Sequence, residues 1–511
     1  MWFDAQRNVV VYDTPRADEI ASSVPGSVRL HNGFVATPAT LYNLQMLRHL
    51  GFETIQPMDI AYDWPGRYTP FNAQRVTANF LAVHPRAFVL NDMGTGKTLA
   101  SLWAADFVMR CNVGVRCLVV APLSTLERVW ADAIFQNFLG RRKCVVLHGS
   151  AAKRRELLAS DADFYIVNYD GVEVLERDLA ARSDIRMAIV DEASAYRNRT
   201  TARHRLARKL LATKDYLWLM TGTPTPNGPT DAYGMAKLVN NAFGEGWGSY
   251  HDRVMVKVSQ FKWVPKQGAH EAAHRLMQPA VRFAISDCID LPPCTVQQRD
   301  VELSPEQNKA YKEMKRDLVL QAAKGAITAA NEAALRLKLL QIACGAVYGA
   351  NREIHMVSAA PRVKALREII EQCREKIIVF APFTSVVHML HKELKKDYSV
   401  EIINGEVPAS KRNEVFTAFM GAEHPRVLVA DPGTMSHGLT LTAASTIVWY
   451  APTDRTETYL QANKRIDRPG QVHATTIVQL AATPVEREIY RRLESNETLQ
   501  GLVLALAKGK L

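Results

Sequence analysis

The sequence predicts an α/β protein with two parallel-sheet domains, and three observations carry that prediction. From Phe88 to Met220, short apolar and β-branched runs alternate with helical patterns. From Lys376 to Leu480 the same alternation returns, and over about 229–359, between the two, it stops in favour of long helical patterns. Near-continuous apolar strands separated by helices mark sheets covered on both faces, which are parallel sheets fed by crossovers. Ligand chemistry in such sheets gathers at the carboxyl ends of the strands. The boundaries that follow are 1–67 for an N-terminal accessory region, 68–228 for a first sheet domain, 229–359 for a helical insertion and 360–511 for a second sheet domain with a C-terminal helix.

Residues 1 to about 70 mix apolar runs such as Val9–Tyr12 with turn residues (Pro25-Gly26, Asn32-Gly33), which suits a small domain or arm. Tyr68-Thr69-Pro70-Phe71-Asn72-Ala73-Gln74 then leads into an apolar-periodic helix toward Leu81. An aromatic and Gln74 at this point can stack on and hydrogen-bond an adenine, and a plain helix start suits them equally. Strands of the first domain are read at Ala87–Leu90, Cys117–Ala121, Cys144–Leu147, Phe164–Val167, Met187–Val190 and Tyr216–Met220. In the insertion, Ser304-Pro305-Glu306-Gln307 reads as an N-cap, a proline at N1 and a capping-box glutamine. A long helix should follow, then a second from about Asn331 to Cys344, stopped by Gly345. Strands of the second domain are read at Lys376–Phe380, Val400–Ile403, Arg426–Ala430, Thr446–Tyr450 and Thr475–Leu480.

Four segments carry candidate chemistry. Asn91-Asp92-Met93-Gly94-Thr95-Gly96-Lys97-Thr98 follows a strand and opens a helix beginning at Leu99. Small residues let the backbone fold round phosphates, with N–H groups and the helix N-terminus presenting positive charge. Lys97 is placed to reach β/γ-phosphates and Thr98 to hold Mg²⁺. The full phosphate-loop pattern begins with Gly, whereas Asn91 stands there, so an ordinary strand–helix turn also fits the segment by itself. Asp191-Glu192 closes a buried strand with paired carboxylates: Asp191 suits a Mg²⁺ shell and Glu192 can orient or deprotonate a water. Thr221-Gly222-Thr223-Pro224 ends another strand and offers two hydroxyls, Thr221 and Thr223, for coupling, or forms a simple turn. Arg465 and Arg468, three apart, fall on one face if helical and suit charge developing on a γ-phosphate, or form a solvated basic face. Ser124, Thr125, Asn168, Tyr169 and Thr440, at strand ends or loops, are candidates for nucleic-acid contacts. The basic run Arg197, Arg199, Arg203, Arg205, Arg208 and Lys209 can track a phosphate backbone or form a solvated helix face.

Composition bounds the function class. The net charge of +11, from 63 Lys and Arg against 52 Asp and Glu, suits a polyanionic partner, although it is spread over a 511-residue chain. Seven scattered cysteines without a Cys-x-x-Cys pair argue for free thiols in a reducing compartment and against a zinc site. The start Met1-Trp2-Phe3-Asp4 lacks a signal-peptide pattern, and no apolar run reaches the roughly 18–20 residues a membrane span needs. An intracellular protein with no membrane partner is expected.

In this order the segments resemble the motor of helicase superfamily two, most closely the Swi/Snf-type DNA translocases. Asn91–Thr98 is similar to that family's Asp-Glu-Met-Gly-Leu-Gly-Lys-Thr, and Val120-Ala121-Pro122-Leu123-Ser124 with Trp130 to its second motif. Asp191-Glu192-Ala193-Ser194 matches the Asp-Glu-x-His box except for Ser194, and Thr221–Pro224, Leu291-Pro292-Pro293 and Leu303–Gln307 match closely. Phe380-Ala381-Pro382-Phe383-Thr384 resembles the opening of the family's second domain. Asp431–Thr442 resembles its Ala-Gly-Gly-x-Gly-Leu-Asn-Leu stretch, with differences in the first half. The segment Gln461–Gln471 fits Gln-Ala-x-x-Arg-x-x-Arg-x-Gly-Gln throughout.

The resemblance implies two RecA-like domains that bind ATP between them, with Lys97, Asp191, Glu192, Gln461, Arg465 and Arg468 as ATPase residues. Thr98 and Asp191 would hold Mg²⁺; Gln74, Met93, Gly94, Thr95, Gly96, Lys97, Thr98 and Leu99 would bind the nucleotide. The expected function is an ATP- and Mg²⁺-dependent motor on double-stranded DNA, acting as a monomer in the cytoplasm or nucleoid of a bacterial or virus-infected cell. Two alternatives stand beside it. One is a strand-separating or branch-migrating helicase on DNA or RNA. The other is a nucleotide-gated adaptor docking on a polymerase or other complex through its N-terminal region.

Overall fold

Continuous apolar runs can stay out of water only if both faces of a sheet are covered, and the chain folds accordingly. The computed structural model describes residues 1–259, 262–288, 291–323, 329–348, 353–435 and 440–495. It divides into two units, Met1–Cys288 and Ile289–Leu511.

In the first unit, β1 (Trp2–Asp4), β2 (Val9–Tyr12), β3 (Val28–Arg29) and β4 (Val35–Pro38) form an antiparallel sheet in the order β1-β2-β4-β3. Its small core holds Val10, Tyr12, Ile20, Val35, Leu44, Leu47 and Phe52. Gln45 ties this region to the helix Asn72–Val83, its Nε2 donating to the Ala82 carbonyl at 2.8 Å.

The main sheet of this unit comprises β5 (Arg86–Val89), β6 (Arg116–Ala121), β7 (Cys144–Val146), β8 (Phe164–Asn168), β9 (Ile185–Val190) and β10 (Tyr216–Met220). All its pairings are parallel. Alternate residues feed two different cores: Leu217 and Leu219 pack on one face, Tyr216, Trp218 and Met220 on the other. That is why the run Tyr216–Met220 is apolar throughout rather than alternating.

The stretch after residue 228, read from sequence as the start of a helical insertion, also contains strands. Past the helices Ala232–Val239 and Trp247–Val254 it forms a hairpin of β11 (Met255–Ser259) and β12 (Lys262–Pro265). Beyond the helix Ala269–Leu276 it adds β13 (Ala280–Val281) to the edge of the main sheet, beside β5. The sheet order is β13-β5-β10-β9-β6-β8-β7.

The second unit begins with β14 (Cys294–Asp300). The capping box at Ser304 forms as read: Gln307 N donates to Ser304 Oγ at 3.1 Å, and Ser304 N to Gln307 Oε1 at 3.0 Å. The helix Pro305–Ala323 follows, then the helix Ala329–Cys344, which Gly345 ends with φ +89°. A short hairpin of β15 (Ala346–Tyr348) and β16 (Ile354–Met356) precedes the second α/β segment. There β17 (Lys376–Phe380), β18 (Val400–Ile403), β19 (Val427–Ala430), β20 (Ala444–Trp449) and β21 (Thr475–Ala481) join β14 in the order β14-β21-β20-β17-β19-β18. Every pairing is parallel. Among the described residues no helix is long and apolar enough to cross a membrane.

Candidate nucleotide site

Sheet order decides which motifs meet. β5, β10, β9, β6 and β8 are consecutive neighbours, all parallel, so the segments leaving their carboxyl ends share one edge. Met220 is paired with Val89, Val190 with Leu219 and with Val120, and Ala121 with Asn168. The loop at 91–98, the Thr221–Thr223 turn, the Asp191-Glu192 pair and Ser124-Thr125 therefore lie side by side.

The loop after β5 is built for a close ligand. Gly94 and Gly96 adopt φ of +88° and +73°, which side chains disfavour, and Gly96 caps the 15-residue helix Lys97–Cys111. Lys97 folds back over the loop, Nζ donating to the carbonyls of Asn91 at 2.7 Å and Asp92 at 2.9 Å. Thr95 Oγ1 closes the turn on the Asp92 carbonyl at 2.8 Å. Met93 is buried, and Thr98 and Leu99, half-buried, lie in the first turn of the helix. Backbone N–H groups at a helix start, a lysine and a hydroxyl are the donor set that phosphate oxygens require.

Asn91, the departure from the glycine-first pattern, has a structural task. Its Nδ2 donates to Thr77 Oγ1 at 2.9 Å, and its Oδ1 accepts from Phe283 N at 3.0 Å. The loop base is thereby fixed between the helix Asn72–Val83 and the chain leaving β13. Nothing in the sequence pairs Asn91 with residues nearly two hundred positions away.

Gln74 is buried and placed differently from an open base-reading group. Its Oε1 accepts from Phe71 N at 3.2 Å, the capping-box bond, and its Nε2 lies 3.5 Å from the Gly96 carbonyl. A Cβ on Gly96 would stand 2.1 Å from that Nε2.

Asp191 and Glu192 leave β9 in an unusual backbone conformation, Glu192 having φ +45° and ψ +52°. Left-handed geometry at a residue with a Cβ costs roughly 1 kcal/mol and collects at functional sites. Asp191 Oδ2 accepts from Trp130 Nε1 at 3.1 Å, and Oδ1 from Glu192 N at 3.0 Å. Burial pushes the Asp191 carboxyl above its ordinary range, while the Trp130 N–H and the Lys97 charge pull the other way. Gly222 lets the neighbouring turn close in: a Cβ there would meet Met93 Cγ at 3.0 Å and Lys97 Nζ at 3.5 Å. Thr221 Oγ1 accepts from Thr223 N at 3.1 Å. The buried Thr223 Oγ1 has no hydrogen-bond partner among the described residues. A carboxylate and an unused hydroxyl on neighbouring strand ends are oxygen donors of the kind a hard cation takes.

The candidates for nucleic-acid contact divide. Ser124 is exposed, whereas Thr125 is buried with Oγ1 on the Pro122 carbonyl at 2.9 Å. Asn168 Oδ1 accepts from Arg154 Nη1 at 3.0 Å. Tyr169 donates its hydroxyl to the carbonyls of Asp191 at 2.6 Å and Glu192 at 3.2 Å, so it braces the acidic turn.

In the second unit the structure departs from the reading of Arg465 and Arg468 on one helix face. The helix ends at Asn463, because the chain turns there to pair with the loop before β20: Leu441 N donates to the Arg465 carbonyl at 2.9 Å. Arg465 is 1% exposed, and Arg468 donates through Nε to the Lys464 carbonyl at 2.7 Å and through Nη1 to Thr440 Oγ1 at 3.3 Å. Gln461 is buried, its Nε2 3.5 Å from Glu457 Oε1. Gln471 pins the turn from beneath, Nε2 donating to the carbonyls of Ala444 and Ile466. Residues 436–439 of the Asp431–Thr442 stretch lie outside the described residues.

Comparison with known proteins gives the family. The model of the SNF2-related domain matches residues 80–344, and that of the helicase conserved C-terminal domain matches 361–470. The chain is 27% identical over 478 residues to putative protein p41 of Acyrthosiphon pisum secondary endosymbiont phage 1, covering 87% of this chain and 99% of that one. It is 26% identical over 420 residues to the SWI/SNF-related matrix-associated actin-dependent regulator of chromatin subfamily A-like protein 1 of Xenopus tropicalis. That match covers 80% of this chain and 42% of the relative, so the chain spans less than half of the frog protein. Among solved structures it is similar to the Sulfolobus solfataricus SWI2/SNF2 ATPase core in complex with dsDNA, with TM-score 0.42 and 19% identity over 90% of this chain and 96% of that chain. The chain belongs to the SNF2-related family of helicase superfamily two, with two RecA-like domains, and is an ATP-hydrolysing enzyme.

Proposed function

We propose that the protein is an ATP- and Mg²⁺-dependent motor that moves along double-stranded DNA. The observation that carries the reading is the meeting of the phosphate loop, the Asp191-Glu192 pair and the Thr221–Thr223 turn at the carboxyl edge of one parallel sheet. Lys97 exchanges the Asn91 and Asp92 carbonyls for phosphate oxygens, and the loop N–H groups and helix start hold the rest of the anion. Thr98 and Asp191 are the residues that would hold Mg²⁺, whose charge neutralises that developing on the phosphates. Glu192, fixed by its left-handed backbone, orients the attacking water. In the second unit, Gln461, Arg465 and Arg468 are the residues read as ATPase residues, on the fit of Gln461–Gln471 to the family's Gln-Ala-x-x-Arg-x-x-Arg-x-Gly-Gln segment. Thr221 and Thr223, linked by a hydrogen bond in a turn that closes on Lys97, are the residues read as coupling nucleotide state to motion.

Duplex DNA as the polymer is supported by the net charge of +11 and by the frog relative's name as a regulator of chromatin. The accessory residues 1–67 carry seven Asp and Glu against five Arg, which favours a protein neighbour there over a phosphate backbone. Arg7→Glu should accordingly leave duplex affinity unchanged in a fluorescence-anisotropy titration.

The test is ATP turnover with and without duplex DNA. Stimulation by duplex is expected, with a loss of roughly a hundredfold or more in Lys97→Ala. Turnover indifferent to DNA and to Lys97→Ala sinks the proposal. Displacement of a triplex-forming strand without fork unwinding separates translocation from strand separation.

A further inference from the structure

The nucleotide site leaves one built surface of the first unit unused. The hairpin β11–β12 has no third strand among the described residues, and Val256, Val258 and Trp263 on it are 42%, 61% and 41% exposed. An isolated two-stranded hairpin is marginal in water, so apolar side chains held in solvent on it call for a partner. Its register places Lys257 opposite Trp263, on the same face.

From Trp263 a line of rings runs back toward the acidic turn. His251 meets Trp263 edge-on with centroids 4.6 Å apart, and Trp247 lies 5.4 Å from His251. The Arg199 guanidinium sits 4.9 Å over the Trp247 ring. Arg199 is exposed and belongs to the loop that follows Asp191-Glu192. The sequence of the hairpin, 255–266, carries Lys257, Lys262 and Lys266 and no Asp or Glu, whereas Arg253 on the helix before it is paired with Glu245 at 2.6 Å.

Cations interleaved with partly exposed rings on a basic protrusion suit a polyanion whose flat apolar faces are available. Those are unpaired nucleotides. A duplex keeps its base faces in the stack and would use only the lysines. An apolar protein segment would leave the cations without counter-charge.

We propose that the β11–β12 hairpin and the Arg199–Trp247–His251–Trp263 ladder form a second nucleic-acid site, which binds single-stranded DNA by stacking on Trp263 and by ion contacts at Lys257. It rests on the reading of the chain as a DNA-dependent motor but is separable from it, because strand binding is measured without ATP. The experiment titrates labelled oligothymidylate and a labelled duplex of the same length with the full chain and with Trp263→Ala, Trp263→Phe and Lys257→Glu. About a tenfold loss of oligothymidylate affinity is expected in Trp263→Ala, with recovery in Trp263→Phe. Lys257, which is exposed, should on reversal weaken binding and flatten its dependence on salt. No oligothymidylate binding by the wild-type chain, equal affinity in Trp263→Ala, or a loss confined to duplex each overturns the proposal. DNA-stimulated turnover that persists while strand binding fails leaves the motor reading standing and removes this one.

Discussion

Trp130 is the residue on which the chemistry of the acidic turn depends most directly. In the proposed reaction Asp191 would have to be ionised to hold Mg²⁺, and burial pushes its carboxyl above the ordinary range. The indole N–H at 3.1 Å stabilises the carboxylate and opposes that shift. Trp130→Phe keeps the ring and removes the donor, so the Asp191 pKa should rise further. The acidic limb of the pH–turnover profile should then move to higher pH, because a larger fraction of the carboxyl is protonated at any given pH. A hydrogen bond to a charged group is worth about 1.5–3 kcal/mol, enough for the displacement of the limb to be measurable. A limb that stays in place would show that another group sets the profile. Trp130 has a family counterpart that the sequence alone reveals. Its bond to Asp191 is a fact of neighbouring strands, since β6 and β9 pair and bring together residues 61 positions apart.

At the scale of elements, β13 has only two residues, and the side chains of Asn91 and Asp92 fasten the chain that follows it to the loop base, accepting from Phe283 N at 3.0 Å and from Ile285 N at 3.3 Å. Asn91→Leu leaves Phe283 N and Thr77 without the partners they have now, at about 1–3 kcal/mol for each orphaned group. Asn91→Asp loses the donor to Thr77 Oγ1 but keeps the acceptor for Phe283 N, and should cost less. Denaturant midpoints of the two variants check this, and equal midpoints would remove Asn91 from the loop's support. Strands of the two main sheets were legible because each is a short, nearly unbroken apolar run, which only double-sided burial explains. The cap at Ser304 and the stop at Gly345 were legible because their chemistry is local. The hairpin β11–β12 and strand β13 escaped: the hairpin alternates Lys with apolar residues over too few positions, and β13 exists only because β5 offers it an edge. Arg465 and Arg468 were misplaced for the same kind of reason. A spacing of three suggests a helix, but the bond from Leu441 N to the Arg465 carbonyl draws the chain out of it.

At the scale of the molecule, the two units have separate cores, and a buried ion pair lets them be tested separately. Arg362 and Glu486 are 1% and 0% exposed in the side chain, with Nη2 at 2.7 and 2.9 Å from the two carboxylate oxygens. Glu486 also accepts from Ala482 N at 2.9 Å and Thr483 N at 3.0 Å, and Arg362 donates to the Tyr450 carbonyl. All these partners lie within Ile289–Leu511. Glu486→Ala strands a guanidinium in the core and should cost that unit about 3–5 kcal/mol, far more than its own favourable contribution would suggest. For a unit of this size the loss lowers the melting temperature by roughly 10 °C. Scanning calorimetry of the full chain should therefore show one transition falling while the transition of Met1–Cys288 stays in place. Glu486→Gln retains acceptors for the backbone N–H groups and should fall less. If a single transition moves as a whole in Glu486→Ala, the units unfold as one cooperative body and the separation of their cores has no thermodynamic counterpart.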